Sequence, residues 1–269
     1  VCGISGPEVV VRGFTFPPLP ETAIEQAIRM EAQQVCPLDM TQSELDFQLI
    51  ETPQSAQTKT ASKAKPRLGV MAIAGNRVIQ ERTSLLTEAG SKALMVDVDA
   101  LAMLNCLNEL QFIEAQETVA VIDIGSSLTN VVIYGSDGLP FVRNINHAGN
   151  TIIQHISRDL DTPENELWQR FTQNLSTDPL NDQLLLSLNN AILPLVNAIN
   201  ETLRFYSFQE KRSNVDRIFL CGGFALIEPF VEFLSDALSM PAESLNPFNR
   251  ISCDNSDKTQ KALIDNGPI

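Results

Sequence analysis

The sequence predicts an α/β fold in two parts, a small α+β module followed by a larger part built around a central sheet. Three patterns predict it. Residues 8–98 read as strand, helix, strand, strand, helix and strand. Residues 118–134 (TVAVIDIGSSLTNVVIY) are two β-branched apolar runs joined by a short glycine–serine turn. Residues 216–223 (DRIFLCGG) are a buried-type strand that runs into two glycines, with a helical pattern behind it.

The overall composition excludes several classes of protein. The net charge of −14 and the pI near 4.5 argue against a nucleic-acid-binding surface, which needs dense lysine and arginine. Residues 1–20 lack the basic and apolar blocks of a secretory signal, and no run of about 18 apolar residues predicts a spanning helix. The cysteines show no metal-site spacing, so we expect reduced core residues of a cytoplasmic protein.

The first part begins with a short strand, EVVVR, that ends before the prolines at 17, 18 and 20. The run ETAIEQAIRMEAQQV repeats apolar residues at helical spacing, and Pro37 ends it. The polar stretch 52–66 is predicted to be a mobile hairpin loop. The predicted elements are, in order, strand 8–12, helix 21–35, strands 45–51 and 67–74, helix 76–89 and strand 93–99.

The second part opens with a helix from residue 99 and continues with the hairpin 118–134. A further strand is predicted at 139–145, and helices follow to about residue 206. The leucine-rich run 184–199 contains several asparagines and a proline, so we interpret it as a buried helix. The strand 216–223 leads into a helix, 226–238, which accommodates Pro229 in its first turn.

The glycine–serine turn of the hairpin is a candidate phosphate site. Such a turn presents several backbone N–H groups on one side, and these can bind an anion. Gly125 lets an anion approach the backbone without a Cβ in the way. Asp123, at the end of the first strand, could hold a hydrated Mg²⁺ beside that anion. An ordinary hairpin with a solvated aspartate explains this stretch equally well.

The glycine pair after the second strand favours the functional interpretation. Gly222 and Gly223 leave a flat backbone against which a planar base could lie. Either motif alone is weak evidence, but both in this order, about 100 residues apart with helices between, are a stronger signal. The candidate nucleotide-binding residues are Asp123, Gly125, Ser126, Ser127, Thr129, Gly222, Gly223 and Ala225, with Asp123 also the candidate ligand of Mg²⁺ through water.

The two motifs together resemble the phosphate and adenosine motifs of the actin/Hsp70/sugar-kinase superfamily. Further segments resemble the PilM family of type IV pilus assembly proteins, and a relative that serves an MSHA-type pilus is equally compatible. The segments that carry this resemblance are SGPEVVVRGFTFPPLP, IRMEAQQVCPLDM, LDFQLIE, EAGSKALMVDVDALAM and LNPFNRI.

The resemblance implies an actin-like (RNase H-like) core with an inserted α+β subdomain. Residues 1–13 would be a remnant of the first actin-like subdomain, 14–96 the inserted subdomain, 97–250 the core with both motifs, and 251–269 a polar C-terminal segment. The superfamily's first phosphate hairpin has no counterpart, and the last helix of the family would begin where the sequence ends. We therefore expect that the fold is truncated at both ends.

The resemblance also implies an adaptor function. PilM-like proteins bind ATP and the cytoplasmic N-terminal segment of the inner-membrane protein PilN, which links them to the motor ATPases. The peptide groove of the family points broadly to residues 8–96. We therefore expect a cytoplasmic protein that reaches the inner membrane only through a partner, and self-association is a further option.

Several positions depart from the family pattern at the nucleotide site. Aligning TLRFY puts Ala198 where the family has a ribose-binding glutamate and Glu201 where it has arginine. Gln169 stands in place of a lysine, although Glu166 is in register, and Ala148 replaces a glycine. The loss of a carboxylate and of a lysine removes charge-assisted hydrogen bonds. We therefore expect weak or lost binding of Mg-ATP and no clear catalytic machinery.

Two other functions stay open at this point. An active ATPase or sugar-type kinase would need a catalytic carboxylate beside a substrate cleft, and 14–96 does not look like a sugar-binding domain. A filament-forming protein similar to FtsA would need a C-terminal amphipathic helix, which 250–269 does not offer. His147 and His155 are predicted to be surface residues and not a zinc pair, and Trp168 a packing residue.

Overall fold

The computed structural model describes residues 1–50, 66–114, 116–172, 182–209, 213–251 and 261. The predicted loop 52–66 lies outside the described residues except for Pro66. The chain divides into two compact units. Unit 1 comprises Val1–Ala102 and Ser136–Val142, and unit 2 comprises Met103–Gly135 and Arg143–Ile269.

Unit 1 contains the predicted order of strand, helix, strand, strand, helix and strand, with one further short strand ahead of it. A 3₁₀ turn at Met40–Gln42 precedes the third strand. The elements are β1 (Cys2–Ile4), β2 (Val9–Phe16), α1 (Glu21–Val35), β3 (Ser43–Ile50), β4 (Arg67–Gly75), α2 (Asn76–Glu88) and β5 (Val96–Val98).

The centre of unit 1 is an antiparallel sheet of order β2-β4-β3 packed against α1. The helix buries the face predicted from its sequence, including Ile24, Ile28 and Ala32, against Met71 and Ile73 of β4. The burial of such apolar side chains is the main favourable contribution to the folding free energy of a small module of this kind. A separate parallel pair joins β1 to β5.

Within the described residues, several predicted strands have other boundaries in the structure, and three of these differences have a clear physical reason. The strand predicted at 8–12 continues to Phe16, because β2 pairs with β4 at all eight of its residues. The strand predicted at 93–99 is shortened to β5, whose length matches that of β1. The strand predicted at 216–223 stops at Cys221, because Gly222 turns out of the ladder with φ +86°.

Unit 2 contains the two motifs and most of the helices. Helix α3 begins in unit 1 and ends in unit 2, and 3₁₀ turns occupy Gly223–Leu226 and Pro247–Asn249. The elements are α3 (Asp99–Glu109), β6 (Val119–Ile124), β7 (Thr129–Tyr134), β8 (Phe141–Ile145), α4 (Gly149–Leu160), α5 (Glu164–Thr172), α6 (Asp182–Ser207), β9 (Arg217–Cys221), α7 (Glu228–Leu238) and β10 (Ala242–Ser244).

The sheet of unit 2 has the order β10-β9-β6-β7-β8. β6 pairs antiparallel with β7, as the predicted hairpin requires, and parallel with β9. Because β6 and β9 run in the same direction, the hairpin turn and the glycine pair leave the sheet at the same edge. Helix α6 buries one face, from Leu184 to Tyr206, as predicted for a core helix. Among the helices that the structure describes, none is long and apolar enough to cross a bilayer.

Candidate functional site

The hairpin turn lies at the carboxyl end of β6. The Gly125 amide donates to the Leu128 carbonyl at 3.1 Å, which closes the turn. Ser126 and Ser127 at its tip are exposed. A Cβ at Gly125 would lie 2.9 Å from the Leu128 carbonyl oxygen, so closure of the turn favours glycine at this position. The predicted turn therefore offers the serine hydroxyl groups to a ligand.

Asp123 is held in a defined orientation beneath this turn. It pairs with Asn130 across the hairpin and with Cys221 across the parallel ladder. The Asn130 side-chain amide donates to Asp123 Oδ2 at 3.0 Å. The other oxygen, Oδ1, lies against Gly222, where a Cβ would come within 2.7 Å of it. The carboxylate is thus fixed between β7 and the glycine pair.

The two glycines of the second motif have different environments. At Gly222, φ is +86° and a Cβ would lie 2.4 Å from the Ile124 carbonyl oxygen, so this position requires glycine. At Gly223, a Cβ would meet nothing within 4 Å. Gly222 therefore permits close approach of the two strand ends, while Gly223 faces open space.

Two of the candidate residues, Thr129 and Ala225, lie in the core next to the turn and the glycine pair. The Thr129 side chain is fully buried, and its hydroxyl donates to the His147 carbonyl at 2.7 Å. Ala225 is also buried, and its amide donates to the Gly222 carbonyl at 2.9 Å. The structure therefore brings six candidates to one edge of the sheet (Asp123, Gly125, Ser126, Ser127, Gly222 and Gly223), with Thr129 and Ala225 supporting them from the core.

The first residues of α4 form hydrogen bonds to the hairpin turn, and the sequence did not predict this contact. The Gly149 amide donates to the Gly125 carbonyl at 2.9 Å, and the Asn150 amide donates to the Ser126 carbonyl at 2.7 Å. The free N–H groups at a helix start are the usual phosphate ligands. Two of them are already satisfied by the turn, so the phosphate-binding capacity of α4 is reduced.

Gly149 also connects the two motifs. A Cβ at this position would lie 2.6 Å from the Phe224 ring and 3.1 Å from the Gly125 carbonyl oxygen. The turn, the start of α4 and the segment after the glycine pair therefore pack as one assembly. The neighbouring Ala148 has φ −153°, an extended conformation that any residue adopts. The family glycine that Ala148 replaces is therefore not needed for backbone geometry.

Sulfur atoms lie at the base of the site. Cys221 Sγ is 3.5 Å from Met103 Sδ. Burial, followed by the negative charge of Asp123 and then by Cys106, raises the pKa of the Cys221 thiol well above its ordinary value. Burial also raises the pKa of Cys106. Both thiols are therefore protonated at neutral pH.

Helix α5 contributes an aromatic contact and an ion pair. The Trp168 ring meets the Phe224 ring edge to face at 5.5 Å between centroids, as expected for a packing residue. Arg170 donates to the Glu166 carboxylate at 2.7 Å. Glu166, which aligns with the family pattern, is therefore already paired with an arginine. Ala198 and Gln169 supply no carboxylate and no cation.

The donor groups at the sheet edge fit a hydrated Mg²⁺ with a phosphate. Mg²⁺ commonly uses one or two carboxylates and otherwise keeps water and phosphate oxygens. Asp123 would supply the carboxylate, and Ser126 and Ser127 would face the phosphate. No cluster of three or more histidine, cysteine or acidic side chains that could hold a metal occurs in the described ranges, and His147 and His155 are both exposed.

Comparisons with known proteins place the chain in a family. A sequence profile described as type IV pilus assembly protein PilM matches residues 1–268. The chain belongs to the PilM family. A solved PilM–PilN type IV pilus biogenesis complex is 22% identical, with a TM-score of 0.78 over 98% of this chain and 74% of that one. At this identity the likeness shows the fold, so the predicted actin-like α/β fold is confirmed.

More distant structures are also similar. The ethanolamine utilization protein EutJ from Carboxydothermus hydrogenoformans is 15% identical, with a TM-score of 0.48 over 62% of this chain and 55% of that one. MreB5 of Spiroplasma citri, bound to AMPPNP, is 17% identical, with a TM-score of 0.44 over 63% and 60%. These values are too low to add to what the PilM family match establishes.

Proposed function

We propose that this chain is an adaptor of type IV pilus assembly that binds the cytoplasmic N-terminal segment of a PilN-like inner-membrane protein. The match of the PilM family profile over residues 1–268 carries this proposal. The solved relative with the highest TM-score quoted above was obtained in complex with PilN, which supports a partner of the same kind. Through that partner the chain would be peripheral to the inner membrane.

The peptide would bind within residues 8–96, all of which belong to unit 1. This assignment keeps 14–96 as the inserted subdomain and 97–250 as the actin-like core. The edges of the three-stranded sheet offer backbone groups for an extended segment, since among the described strands β2 and β3 each pair only with β4. Asp46 accepts a hydrogen bond from the Phe47 amide at 2.8 Å, which limits pairing along the outer edge of β3.

The nucleotide site of this adaptor would bind Mg-ATP with low affinity. Asp123, the serines of the turn and the glycine pair support binding of Mg-ATP. The occupied amides of α4 and the missing carboxylate at Ala198 weaken it. We therefore propose an affinity lower than that of an intact actin-like site, and no hydrolytic role.

Hydrogen exchange with a synthetic peptide tests the adaptor function. The probe is the N-terminal cytoplasmic segment of the PilN-like protein of the same organism, with a scrambled peptide as the control. We expect titratable binding and slowed exchange within 8–96 only. Absence of binding, or protection confined to unit 2, would contradict the assignment.

Calorimetric titration with Mg-ATP tests the nucleotide site separately. Asp123→Asn removes the proposed carboxylate, and Asp159→Asn removes an exposed carboxylate from the surface of α4 as a matched control. We expect weak binding by the wild type and by the Asp159 variant, and loss in the Asp123 variant. Steady turnover of ATP would instead favour an active ATPase, and ATP-dependent sedimentation would favour a filament-forming protein.

A further inference from the structure

Asn130 is a buried amide in an otherwise apolar strand. Its side chain is 4% exposed, and it stands in β7 ahead of the run Val131, Val132 and Ile133, all of which are buried. A buried amide without hydrogen bonds destabilises the folded state, whereas an apolar side chain at the same place would stabilise it. The presence of asparagine at this position therefore needs an explanation.

Asp123 provides that explanation through the register of the hairpin. The two residues face each other across β6 and β7, where side chains of an antiparallel pair lie close together. Asn130 donates to Asp123 Oδ2 at 3.0 Å. A carboxylate has about four lone-pair directions on its two oxygens, so it can accept from more than one group at a time.

The orientation of the carboxylate is fixed from two sides. The bond to Asn130 holds Oδ2, and the backbone of Gly222 packs against Oδ1. Groups that hydrogen-bond to a metal-binding carboxylate orient it and tune its affinity, and their loss typically weakens metal binding about 10- to 100-fold. The contacts of Asp123 with Asn130 and Gly222 are of this orienting kind.

We propose that Asn130 is the positioning residue for the Mg²⁺ that accompanies the nucleotide. It acts through Asp123 by presenting the carboxylate in one orientation at the edge of the sheet. This inference rests on the nucleotide site proposed above and adds a specific consequence, which is that Asn130 controls the Mg²⁺ dependence of nucleotide affinity and not affinity for the nucleotide as such.

The test compares ATP binding in Mg²⁺ and in EDTA, by calorimetry, for the wild type and two variants. Asn130→Leu keeps the approximate size and removes the donor, and Asn130→Ala removes the donor with a smaller side chain. We expect both variants to lose about 10-fold or more of the Mg-ATP affinity. Affinity for ATP in EDTA should be unchanged, which a general loss of structure would not give.

Thermal unfolding separates positioning from folding. It is measured for every variant, because a variant that stays folded and binds ATP in EDTA but loses the Mg²⁺-dependent affinity has lost positioning only. Asn130→Ala serves if the leucine variant does not fold.

The outcomes distinguish the two proposals. If the wild type binds no ATP in either condition, the nucleotide site is wrong and the inference falls with it. If the wild type shows Mg²⁺-dependent binding and the Asn130 variants retain it, the inference alone is wrong. Equal losses in Mg²⁺ and in EDTA would likewise overturn it.

Discussion

The replacement of Gly222 by alanine tests the geometry at the centre of the candidate site. Gly222 has φ +86°, and a Cβ there would lie 2.4 Å from the Ile124 carbonyl oxygen. The obstructing atom belongs to the backbone of β6, which is paired on both sides and cannot rotate away as a side chain would. We expect Gly222→Ala to destabilise unit 2 strongly.

The magnitude follows from two costs. A non-glycine residue held at positive φ costs about 1–3 kcal/mol. Forcing an extra methyl group into a closely packed site costs about another 1–3 kcal/mol. Taking about 4 kcal/mol as a central value, the melting temperature of unit 2 should fall by about 8–16 °C.

Differential scanning calorimetry measures this change, and the adjacent glycine provides the matched control. At Gly223, a Cβ would meet no atom within 4 Å, so Gly223→Ala should change the free energy of unfolding by no more than about 1 kcal/mol. Equal melting temperatures for the two alanine variants would refute the reasoning, because only the Gly222 variant has a positive φ and a Cβ that meets the Ile124 carbonyl and Asp123 Oδ1.

Three further predictions concern other parts of the chain. Burial alone would raise the pKa of Glu117, but the hydrogen bonds from Arg217 and from the Glu114 amide outweigh it and hold that pKa below its usual 4.5. Glu117→Gln should therefore cost about 1–3 kcal/mol of unfolding free energy at pH 7, and chemical denaturation should show this difference shrinking as the pH falls below 4.5. Burial, and after it the negative charge of Asp123, raises the pKa of the Cys221 thiol, so iodoacetamide at pH 8 should label Cys221 more slowly than in the unfolded chain. Labelling should be faster in Asp123→Asn than in the wild type, as site-resolved mass spectrometry would show; equal rates would contradict the geometry. Ile28 is fully buried against the sheet of unit 1, so Ile28→Ala should lower the unfolding free energy of that unit by about 2–5 kcal/mol in urea denaturation, and a loss below 1 kcal/mol would contradict the core.

Most of the fold could be predicted because its elements carry strong local patterns. The hairpin 118–134 consists of β-branched runs that suit no other structure, and α1 repeats its apolar residues at helical spacing. The end of β2 was missed because only the β-branched run before Gly13 was counted as strand, although the prolines begin only at residue 17. In the structure this glycine makes room for the Leu139 side chain, 3.2 Å from where its Cβ would be, and the strand continues.

The parallel pair of β1 and β5 carries no local signal. Each strand has only three residues, and their pairing joins segments more than 90 residues apart in the chain. Such pairing depends on the packing of the whole unit and not on periodicity. The contact of α4 with the hairpin turn is hidden for the same reason, since backbone carbonyls of the turn make it. The position of Asn130, in contrast, follows from the sequence, because the predicted hairpin already places it opposite Asp123.

The departures from the family pattern should not weaken nucleotide binding equally, because Ala148 and Ala198 have different structural environments. Ala148 replaces a glycine, yet its backbone is extended and its methyl group is buried, while Gly149 supplies the close approach to Phe224. Ala198 lies half-buried on α6, where the family resemblance places a carboxylate for the ribose. A lost carboxylate removes charge-assisted hydrogen bonds that no neighbouring backbone geometry can replace.

Restoring each residue separately tests this ranking. Ala148→Gly should leave the Mg-ATP affinity unchanged and cost about 0.5–1 kcal/mol of stability, because glycine loses more backbone entropy on folding. Ala198→Glu should raise the affinity about 10-fold, the effect of one hydrogen bond to a charged group. Both variants are measured by the same calorimetric titration. If Ala148→Gly restores binding and Ala198→Glu does not, the weakness of the site lies in the turn before α4 and not in the ribose contact.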